Sequence, residues 1–227
     1  MESFSEMLKL IAATGNTHKV KEIQDILGYE FIVASMPEDL RKVEIVENAP
    51  DFSGNAAKKA LTVAQLIFKG GCMESELFGV VADDSGLEVD ALNGAPGVHS
   101  ARFALIGAGD SSHRSRSEID KANNEKLLAL LTDVPWEKRT ARFRCVLALV
   151  TRDAPSGPPQ FFEGTCEGRI QFAPSGDGGF GYDPLFVPEG FEQSFAELGH
   201  EVKNRISHRA RALEKLRNWL QSVAASR

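Results

Sequence analysis

Short apolar segments that suit β-strands alternate, through the first half of this chain, with longer segments whose apolar residues recur at helical spacing. Lys9–Ala13 is a strand candidate, and the turn-forming residues Thr14-Gly15-Asn16 separate it from a helix candidate over His18–Leu27. A strand over Phe31–Ala34 and a helix over about Ser53–Phe68 repeat the pattern. This alternation predicts an α/β fold, in which helices pack on a sheet.

The second half of the chain predicts a sheet that is not wholly parallel. Thr140–Val150 alternates apolar with polar residues before becoming apolar on both faces, which is typical of a long central strand. Phe161–Thr165 and Glu167–Phe172 are predicted to form a hairpin, so we expect a mixed sheet. The other predicted elements are a strand over Gly79–Ala82 that continues extended over Leu87–Val89, a mobile loop over Leu105–Ser117, a helix over about Glu118–Leu131, a strand over Leu185–Val187 and a final helix with Leu213, Leu216 and Leu220.

Composition excludes several classes of protein. A chain of 227 residues with 42% hydrophobic residues can bury a core, and we expect one domain over residues 1–227. The longest apolar run, Cys145–Val150, is far shorter than the roughly 20 residues that span a bilayer, and the first residues lack a secretory signal, so we expect a cytoplasmic protein. The net charge of −6 argues against a general nucleic-acid binder. Cys72, Cys145 and Cys166 are expected to be buried apolar residues rather than disulfide or zinc ligands.

The segment Thr14-Gly15-Asn16-Thr17-His18-Lys19 joins the first predicted strand to the first predicted helix. Free backbone N–H groups at a helix start, the helix dipole and a lysine can together bind phosphate groups. The segment lacks the Gly-x-x-x-x-Gly-Lys-Ser/Thr spacing of the loop that is common in ATPases. The alternative is that Gly15 and Asn16 serve only as turn formers.

The pair Asp83-Asp84 is expected at the end of an apolar strand. Adjacent carboxylates repel each other, and a bound hard cation commonly offsets that cost. An oxygen-only ligand set, with no His or Cys nearby in the sequence, favours Mg²⁺ with several retained waters. The alternative is that one of the two carboxylates caps a turn with Ser85-Gly86.

The glycine-rich segment Gly176–Gly181 matches the dinucleotide-binding pattern Gly-x-Gly-x-x-Gly, but Tyr182-Asp183-Pro184 follows where that motif requires a helix. We therefore interpret it as a flexible turn that presents Phe180, Tyr182 and Asp183 to a base. An aromatic face stacks on a base, and a carboxylate accepts from its N–H groups. The alternative is a glycine hairpin with Phe180 or Tyr182 in the core.

The basic segment Lys203-Asn204-Arg205-Ile206-Ser207-His208-Arg209 precedes the apolar repeat of the last predicted helix. If Ser207 is the N-cap, His208 and Arg209 occupy the first helical turn beside free N–H groups. Cationic side chains gather at such a helix start when an anion, such as a ligand phosphate, offsets them. The alternative is a solvated basic helix face.

Six motifs, in this order along the chain, together resemble those of the inosine/xanthosine triphosphate pyrophosphatase family. They are Ala13-Thr14-Gly15-Asn16-Thr17-His18-Lys19, Asn55-Ala56-Ala57-Lys58-Lys59-Ala60, Ala82-Asp83-Asp84-Ser85-Gly86-Leu87, Gly94-Ala95-Pro96-Gly97-Val98-His99-Ser100-Ala101-Arg102, Gly179-Phe180-Gly181-Tyr182-Asp183-Pro184 and Ile206-Ser207-His208-Arg209. The resemblance covers nearly the whole chain. It implies an elongated mixed α/β sheet flanked by helices, two lobes with a central nucleotide cleft, and a homodimer. It also implies hydrolysis of the non-canonical purine nucleotides ITP, dITP and XTP to the monophosphate and pyrophosphate, which sanitises the nucleotide pool.

The resemblance further implies roles for individual residues. Asp84 is the implied general base, with Asp83 as its support, and Asp84 and Glu47 are the implied ligands of Mg²⁺. Lys19 and Lys59 are expected to contact the phosphates, and His208 with Arg209 to recognise the 6-oxo edge of the base. The implied substrate-binding residues are Thr14, Gly15, Asn16, Thr17, His18, Lys19, Ser85, Phe180, Gly181, Tyr182, Asp183, Lys203, His208 and Arg209.

Three positions depart from the family pattern: His18 replaces a common Gly, Gly54 a common Glu, and His99 a common Tyr. Two alternative functions remain open. One is a related pyrophosphatase that acts on pyrimidine or methylated nucleotides, against which the motifs Phe180–Asp183 and Ser207–Arg209 favour a purine. The other is a nucleotide sensor without catalytic activity, which a turnover measurement distinguishes.

Overall fold

The structure, a computed structural model, describes residues 7–69, 77–107 and 114–226, apart from the side chains of His18 and Lys69. The strands are β1 (Leu8–Ala12), β2 (Phe31–Ser35), β3 (Leu77–Val89), β4 (Thr140–Thr151), β5 (Gln160–Ile170) and β6 (Phe186–Pro188). The α-helices are α1 (Thr17–Leu27), α2 (Phe52–Lys69), α3 (Arg116–Leu130), α4 (Phe195–Ile206) and α5 (His208–Ala225). Short 3₁₀ helices cover Leu40–Lys42, Asp90–Leu92, Gly97–Leu105 and Trp136–Lys138.

The strands form one mixed sheet in the order β2-β1-β3-β4-β5-β6. β1 pairs in parallel with both β2 and β3, whereas β5 and β6 are antiparallel. This confirms the predicted α/β class and the mixed sheet. No helix within the described residues is long and apolar enough to cross a membrane.

The chain divides into two compact units. The first comprises Met1–Asp84, Val146–Glu163 and Arg211–Arg227, and the second comprises Ser85–Cys145 and Gly164–Ala210. In the first unit, the ring of Trp219 on α5 packs against Phe78 and Phe162, with ring centroids 6.1 and 5.9 Å apart.

The second unit has a hydrophobic core of its own. Its buried cluster consists of Leu87, Val89, Leu127, Leu131, Ala141, Phe143, Cys166, Ile170, Tyr182, Leu185, Phe186 and Phe195. The rings of Phe143 and Phe186 have centroids 4.7 Å apart, and Phe195 lies 5.3 Å from Phe186. Aromatic contacts therefore join β4, β6 and α4 into one packed block.

Most predicted elements have the expected type, with ends within one or two residues. The predicted hairpin over Phe161–Phe172 is wrong, because β5 is a single strand that runs through Thr165 and Cys166. Phe162, Gly164 and Cys166 are all buried, so the two-residue period continues across the proposed turn. No residue of β5, all of which the structure describes, has the positive φ that a tight hairpin turn requires.

Helix α4 was not among the predicted elements, and Gly199, with φ of +76°, interrupts it. The predicted loop over Leu105–Ser117 is only partly described, because residues 108–113 lie outside the described residues. Arg116 and Ser117 belong to α3, which begins two residues earlier than predicted after the N-cap Ser115. Cys145 and Cys166 are buried, as expected, and Cys72 lies outside the described residues.

Candidate active site

The carboxyl end of β1 and the middle of β3 lie at a point where the direction of the chain across the sheet reverses. From β1 the chain passes through α1 to β2 on one side, and from β2 it passes through α2 to β3 on the other. In open α/β sheets, ligands bind outside the carboxyl ends of strands at such reversals. Ala12, the last residue of β1, pairs with Val81, so Asp83 and Asp84 lie just beyond this end of β1.

The same geometry explains how the two adjacent aspartates face different partners. Both crossovers join parallel strands, and right-handed crossovers in opposite directions place α1 and α2 on opposite faces of the sheet. Side chains of successive strand residues also point to opposite faces. Asp83 accordingly forms an ion pair with Lys19 of α1, and Asp84 forms one with Lys59 of α2.

This arrangement corrects the expectation that Asp83 and Asp84 end a strand. β3 continues through both residues and through Ser85-Gly86 to Val89, so neither carboxylate caps a turn there. Both aspartates are buried, and each has its own lysine. The repulsion between adjacent carboxylates is therefore reduced by their opposite directions and by two ammonium groups.

The segment from Thr14 to Lys19 leads from β1 into α1. The hydroxyl of Thr14 accepts from the Asn16 amide at 3.1 Å, and the Asn16 side chain accepts from the Lys19 amide at 3.3 Å. Gly15, Asn16 and Thr17 are exposed, and a Cβ at Gly15 would meet nothing within 4 Å. The start of α1 is thus accessible to an anion, as a phosphate loop requires. The side chain of His18 lies outside the described residues.

Lys59 links two carboxylates. Its Nζ lies 3.0 Å from Oδ1 of Asp84 and 3.0 Å from Oε2 of Glu47, whose side chain is 38% exposed. Burial alone would lower the pKa of Lys59, but Asp84, Asp83 and Glu47 together raise it, so the ammonium stays charged. Burial raises the pKa of Asp84 above its usual value, and the neighbouring Lys59 opposes that rise.

The donor set around Asp84 fits a hard divalent cation. Oδ2 of Asp84 is buried and has no hydrogen-bond partner among the described residues. Carboxylate oxygens are the ligands that Mg²⁺ prefers, and Mg²⁺ commonly uses one or two of them together with waters. No group of three or more potential metal-ligating His, Cys, Asp or Glu residues occurs within the described ranges. Asp84 and Glu47 therefore suit an ion that keeps most of its water.

In the second unit, Phe180 presents an exposed ring flanked by cations. The ring is 43% exposed, Nζ of Lys203 lies 4.3 Å from its centroid, and Cζ of Arg209 lies 6.0 Å from it. Lys203 is buried and forms an ion pair with Oδ2 of Asp183, which also accepts from the Phe180 amide at 2.8 Å. Asp183 thus fixes both the backbone and a cation next to the exposed ring.

The glycine-rich turn is packed against α4 and is not the freely flexible turn that we expected. A Cβ at Gly176 would lie 2.7 Å from backbone atoms of α4, and one at Gly178 would lie 2.6 Å from the Ala196 carbonyl oxygen. At Gly179, with φ of +76°, a Cβ would collide with the Asp183 carboxylate. Glycine is required here because the chain passes so close to its neighbours.

Tyr182 belongs to the core. Its side chain is buried, and its hydroxyl donates to the Ser100 carbonyl oxygen at 3.0 Å. Burial raises the pKa of Tyr182, so the hydroxyl stays protonated and keeps this bond. The core alternative therefore describes the Tyr182 side chain, whereas the exposed Phe180 fits the base-stacking interpretation.

The first turn of α5 carries His208 and Arg209, as the sequence suggested. The Ser207 hydroxyl accepts from the Ala210 amide at 3.1 Å, which is the N-cap interaction. The His208 ring stacks on Phe143, with centroids 4.8 Å apart and planes 14° apart, and Arg209 is only 2% exposed. Both residues are thus held firmly within the second unit.

Sequence reasoning missed several polar residues around these groups. Asn55 on α2 is buried and accepts from the Ala49 amide at 2.9 Å. Among the groups that shift the pKa of Asp84, Asn55 has the smallest effect, and it lowers that pKa. Asp120 and Asn124 on α3 bind the backbone of Gly181. The sequence offered a signal only for Asn55, which begins the second family motif and is a polar residue inside an apolar helical face. Ser85 lies partly buried in β3, next to Asp84.

Comparisons with known proteins agree with this description. A sequence model of the Ham1 family matches residues 10–219. A dITP/XTP pyrophosphatase of Desulforamulus reducens is 49% identical over 211 residues, which cover 92% of this chain and 93% of that protein. The structure of a HAM1 protein from Coxiella burnetii superposes with a TM-score of 0.77 at 34% identity, over 95% of this chain and 100% of that one. The crystal structure of a nucleoside-triphosphatase, dITP/XTP pyrophosphatase, from Mycobacterium abscessus gives a TM-score of 0.67 at 39% identity, over 92% and 98%.

Proposed function

Because this chain belongs to the Ham1 family, we propose that it hydrolyses ITP, dITP and XTP to the monophosphate and pyrophosphate. The observation that carries this proposal is the buried Asp84 carboxylate, which pairs with Lys59 through one oxygen and keeps the other without a hydrogen bond among the described residues. It lies within β3, just beyond the carboxyl end of the parallel strand β1, at a reversal of the kind where α/β proteins bind ligands.

In the proposed reaction, a water oxygen forms a bond to the α-phosphorus, and the bond between that phosphorus and the oxygen bridging to the β-phosphorus breaks. The Asp84 carboxylate takes the proton of the attacking water. Its raised pKa makes it a stronger base than an exposed aspartate, while Lys59 helps to keep it ionised. The ammonium groups of Lys19 and Lys59 offset the charge of the departing pyrophosphate.

We propose Mg²⁺ as the cofactor, with Asp84 and Glu47 as its ligands. When bound, Mg²⁺ supplies positive charge against the phosphate oxygens. Lys59, within 3.0 Å of both carboxylates, holds them in place and limits their mutual repulsion. Asp83 pairs with Lys19 and so positions that lysine at the start of α1, beside the Thr14–Lys19 segment.

The second unit would recognise the purine. The exposed ring of Phe180 stacks on the base, and Lys203, held by Asp183, lies beside it. Donors of His208 and Arg209 suit a 6-oxo group, whereas the 6-amino group of ATP would leave such donors unpaired. We further propose that the protein is a cytoplasmic homodimer and that residues 1–227 act as one catalytic domain.

Pyrophosphate release in the presence of Mg²⁺, measured with ITP, XTP, GTP, ATP and UTP, tests this function. We expect ITP and XTP to be hydrolysed with the highest kcat/KM. Preferential hydrolysis of UTP would instead indicate a pyrimidine pyrophosphatase. Tight binding of ITP without any pyrophosphate release would indicate a sensor.

A further inference from the structure

Both peptide groups of Gly181 are held by side chains of α3. The Gly181 N–H donates to Oδ2 of Asp120 at 3.0 Å, and the Gly181 carbonyl oxygen accepts from Nδ2 of Asn124 at 3.0 Å. Asp120 and Asn124 are one turn apart and so lie on the same face of the helix. Gly181 directly follows Phe180, the exposed aromatic residue of the second unit.

We propose that Asp120 and Asn124 are positioning residues for nucleotide binding, and that they orient Phe180 by fixing the backbone of Gly181. This inference rests on the proposed function, in which the Phe180 ring stacks on the purine. Neither residue needs to touch the substrate, because the effect is transmitted through the peptide groups on either side of the Gly181 Cα.

The need for such support follows from the conformation of the turn. Gly181 has a φ of +65°, and a Cβ built on it would meet nothing within 4 Å, so the turn is open on that side of Gly181. The adjacent Phe180 ring is 43% exposed and therefore is not fixed by burial either. If the ring becomes ordered only when the base binds, the loss of side-chain entropy lowers the affinity. A ring that is already ordered avoids this cost.

Helix α3 is well suited to provide a fixed reference. Asn123, the residue before Asn124 in this helix, is buried. It accepts from the Ala104 amide at 2.7 Å and donates to the Ser100 carbonyl oxygen at 3.2 Å. The Tyr182 hydroxyl donates to that same carbonyl oxygen. Asn123, next to Asn124 on α3, and Tyr182, next to Gly181, therefore bind the same carbonyl oxygen. This shared contact supports the backbone of Gly181 in the way that precise sites require.

Two isosteric substitutions separate this role from a general effect on folding. Asn124→Asp removes the amide donor and places a carboxylate against the Gly181 carbonyl oxygen, whereas Asp120→Asn retains an acceptor for the Gly181 N–H. We expect Asn124→Asp to raise KM and Kd for ITP about five- to tenfold, as the loss of one hydrogen bond predicts, with kcat within about twofold. Asp120→Asn should stay within about twofold of wild type, because it keeps an acceptor for the Gly181 N–H and the ion pair that it loses joins an Arg116 side chain that is 61% exposed. Lys121→Ala, at an exposed position of the same helix, is the matched control.

The decisive measurement is a double-mutant cycle with Phe180→Ala. If Asn124 acts through Phe180, Asn124→Asp should change KM and Kd for ITP by less than about twofold in the Phe180→Ala background. An equal effect in both backgrounds, or a lower Tm with unchanged KM and Kd, would overturn the proposal.

Should Asn124→Asp not fold, Asp120→Ala replaces it in the cycle, with Asp120→Asn as the rescuing variant. Absence of pyrophosphate release by wild type would refute the proposed function alone, since the cycle in Kd would still report on Asn124.

Discussion

Nζ of Lys59 lies 3.0 Å from Oδ1 of Asp84, and both side chains are close to nine-tenths buried. Removing either partner of such a pair leaves the other charge with little solvent to stabilise it. The pair therefore explains how an aspartate can be buried in β3 and still be ionised, as the proposed base must be. It also sets the conditions under which that base is ionised.

Replacing Asp84 by Asn should leave the protein folded, because Glu47 still pairs with Lys59 at 3.0 Å. It should lower kcat at least roughly 100-fold, because the proposed base and metal ligand is lost while nucleotide contacts remain. Pyrophosphate release at saturating ITP and Mg²⁺, together with a thermal melt, measures both effects. Near-normal turnover by this variant would remove Asp84 from the mechanism.

The activity should depend on pH through the raised pKa of Asp84. The base must be ionised, so kcat/KM should fall as pH falls through that pKa, at a pH above the usual 3.8 for an aspartate. Bound Mg²⁺ favours the carboxylate, so a higher Mg²⁺ concentration should move this acidic limb to lower pH. For stability the sign is opposite: without Mg²⁺, the contribution of neutral Asp84 is present at low pH and is lost as pH rises through its raised pKa. If the acidic limb of the kcat/KM profile did not move with Mg²⁺ concentration, the assignment of Asp84 as the base and metal ligand would be contradicted.

Arg209→Ala should lower kcat/KM for ITP much more than for ATP. Loss of a buried charge-assisted donor costs roughly 1.5–3 kcal/mol, or about 10- to 150-fold, and ATP offers no matching acceptor to lose. Phe180→Ala is the comparison, because stacking tolerates any base and both substrates should suffer alike. Equal losses for ITP and ATP in Arg209→Ala would assign Arg209 to phosphate binding or to structure.

Gly179→Ala should impair nucleotide binding through Asp183. The new methyl group would collide with the Asp183 carboxylate, which binds Lys203 and the Phe180 amide, so KM for every nucleotide should rise. Gly190→Ala is the matched control, because its φ of +83° is similar but its Cβ would meet nothing within 4 Å. Both variants should lose about 1–2 kcal/mol of stability from the left-handed backbone, and only Gly179→Ala should lose affinity. Equal KM values in the two variants would disprove the role of this contact.

The strands and helices of the first unit were predictable because their periodicity and turn residues agree. β1, α1, β2 and α2 are each local units whose apolar residues report burial on one or both faces. β3 was cut short because Ser85-Gly86 has the composition of a turn, and only pairing with neighbouring strands shows that it remains extended. The hairpin at β5 failed for the same reason, since Gly164 is buried in a continuous strand.

The family motifs contain Lys19, Lys59 and the two aspartates, but they do not show which lysine pairs with which aspartate. Lys19 and Asp83 are 64 positions apart, and Lys59 and Asp84 are 25 apart, so these contacts depend on the crossover geometry of the sheet. Asp120 and Asn124 gave no signal either, because the group that they bind is the backbone of Gly181. A contact to a backbone peptide group does not depend on the side chain of the residue that is held, so the sequence does not reveal it.

The alternation of β3 means that the two aspartates are assigned to their helices by parity: odd-numbered Asp83 faces α1, and even-numbered Asp84 faces α2. Inserting a single residue between Gly79 and Asp83, beyond the register shift at Leu77–Gly79, would reverse this assignment and turn each carboxylate away from its lysine. Inserting two would restore the parity but move both carboxylates about 7 Å along the strand. The length of this segment is therefore fixed by two lysines on opposite faces, and gains or losses of residues during evolution are expected elsewhere in the chain.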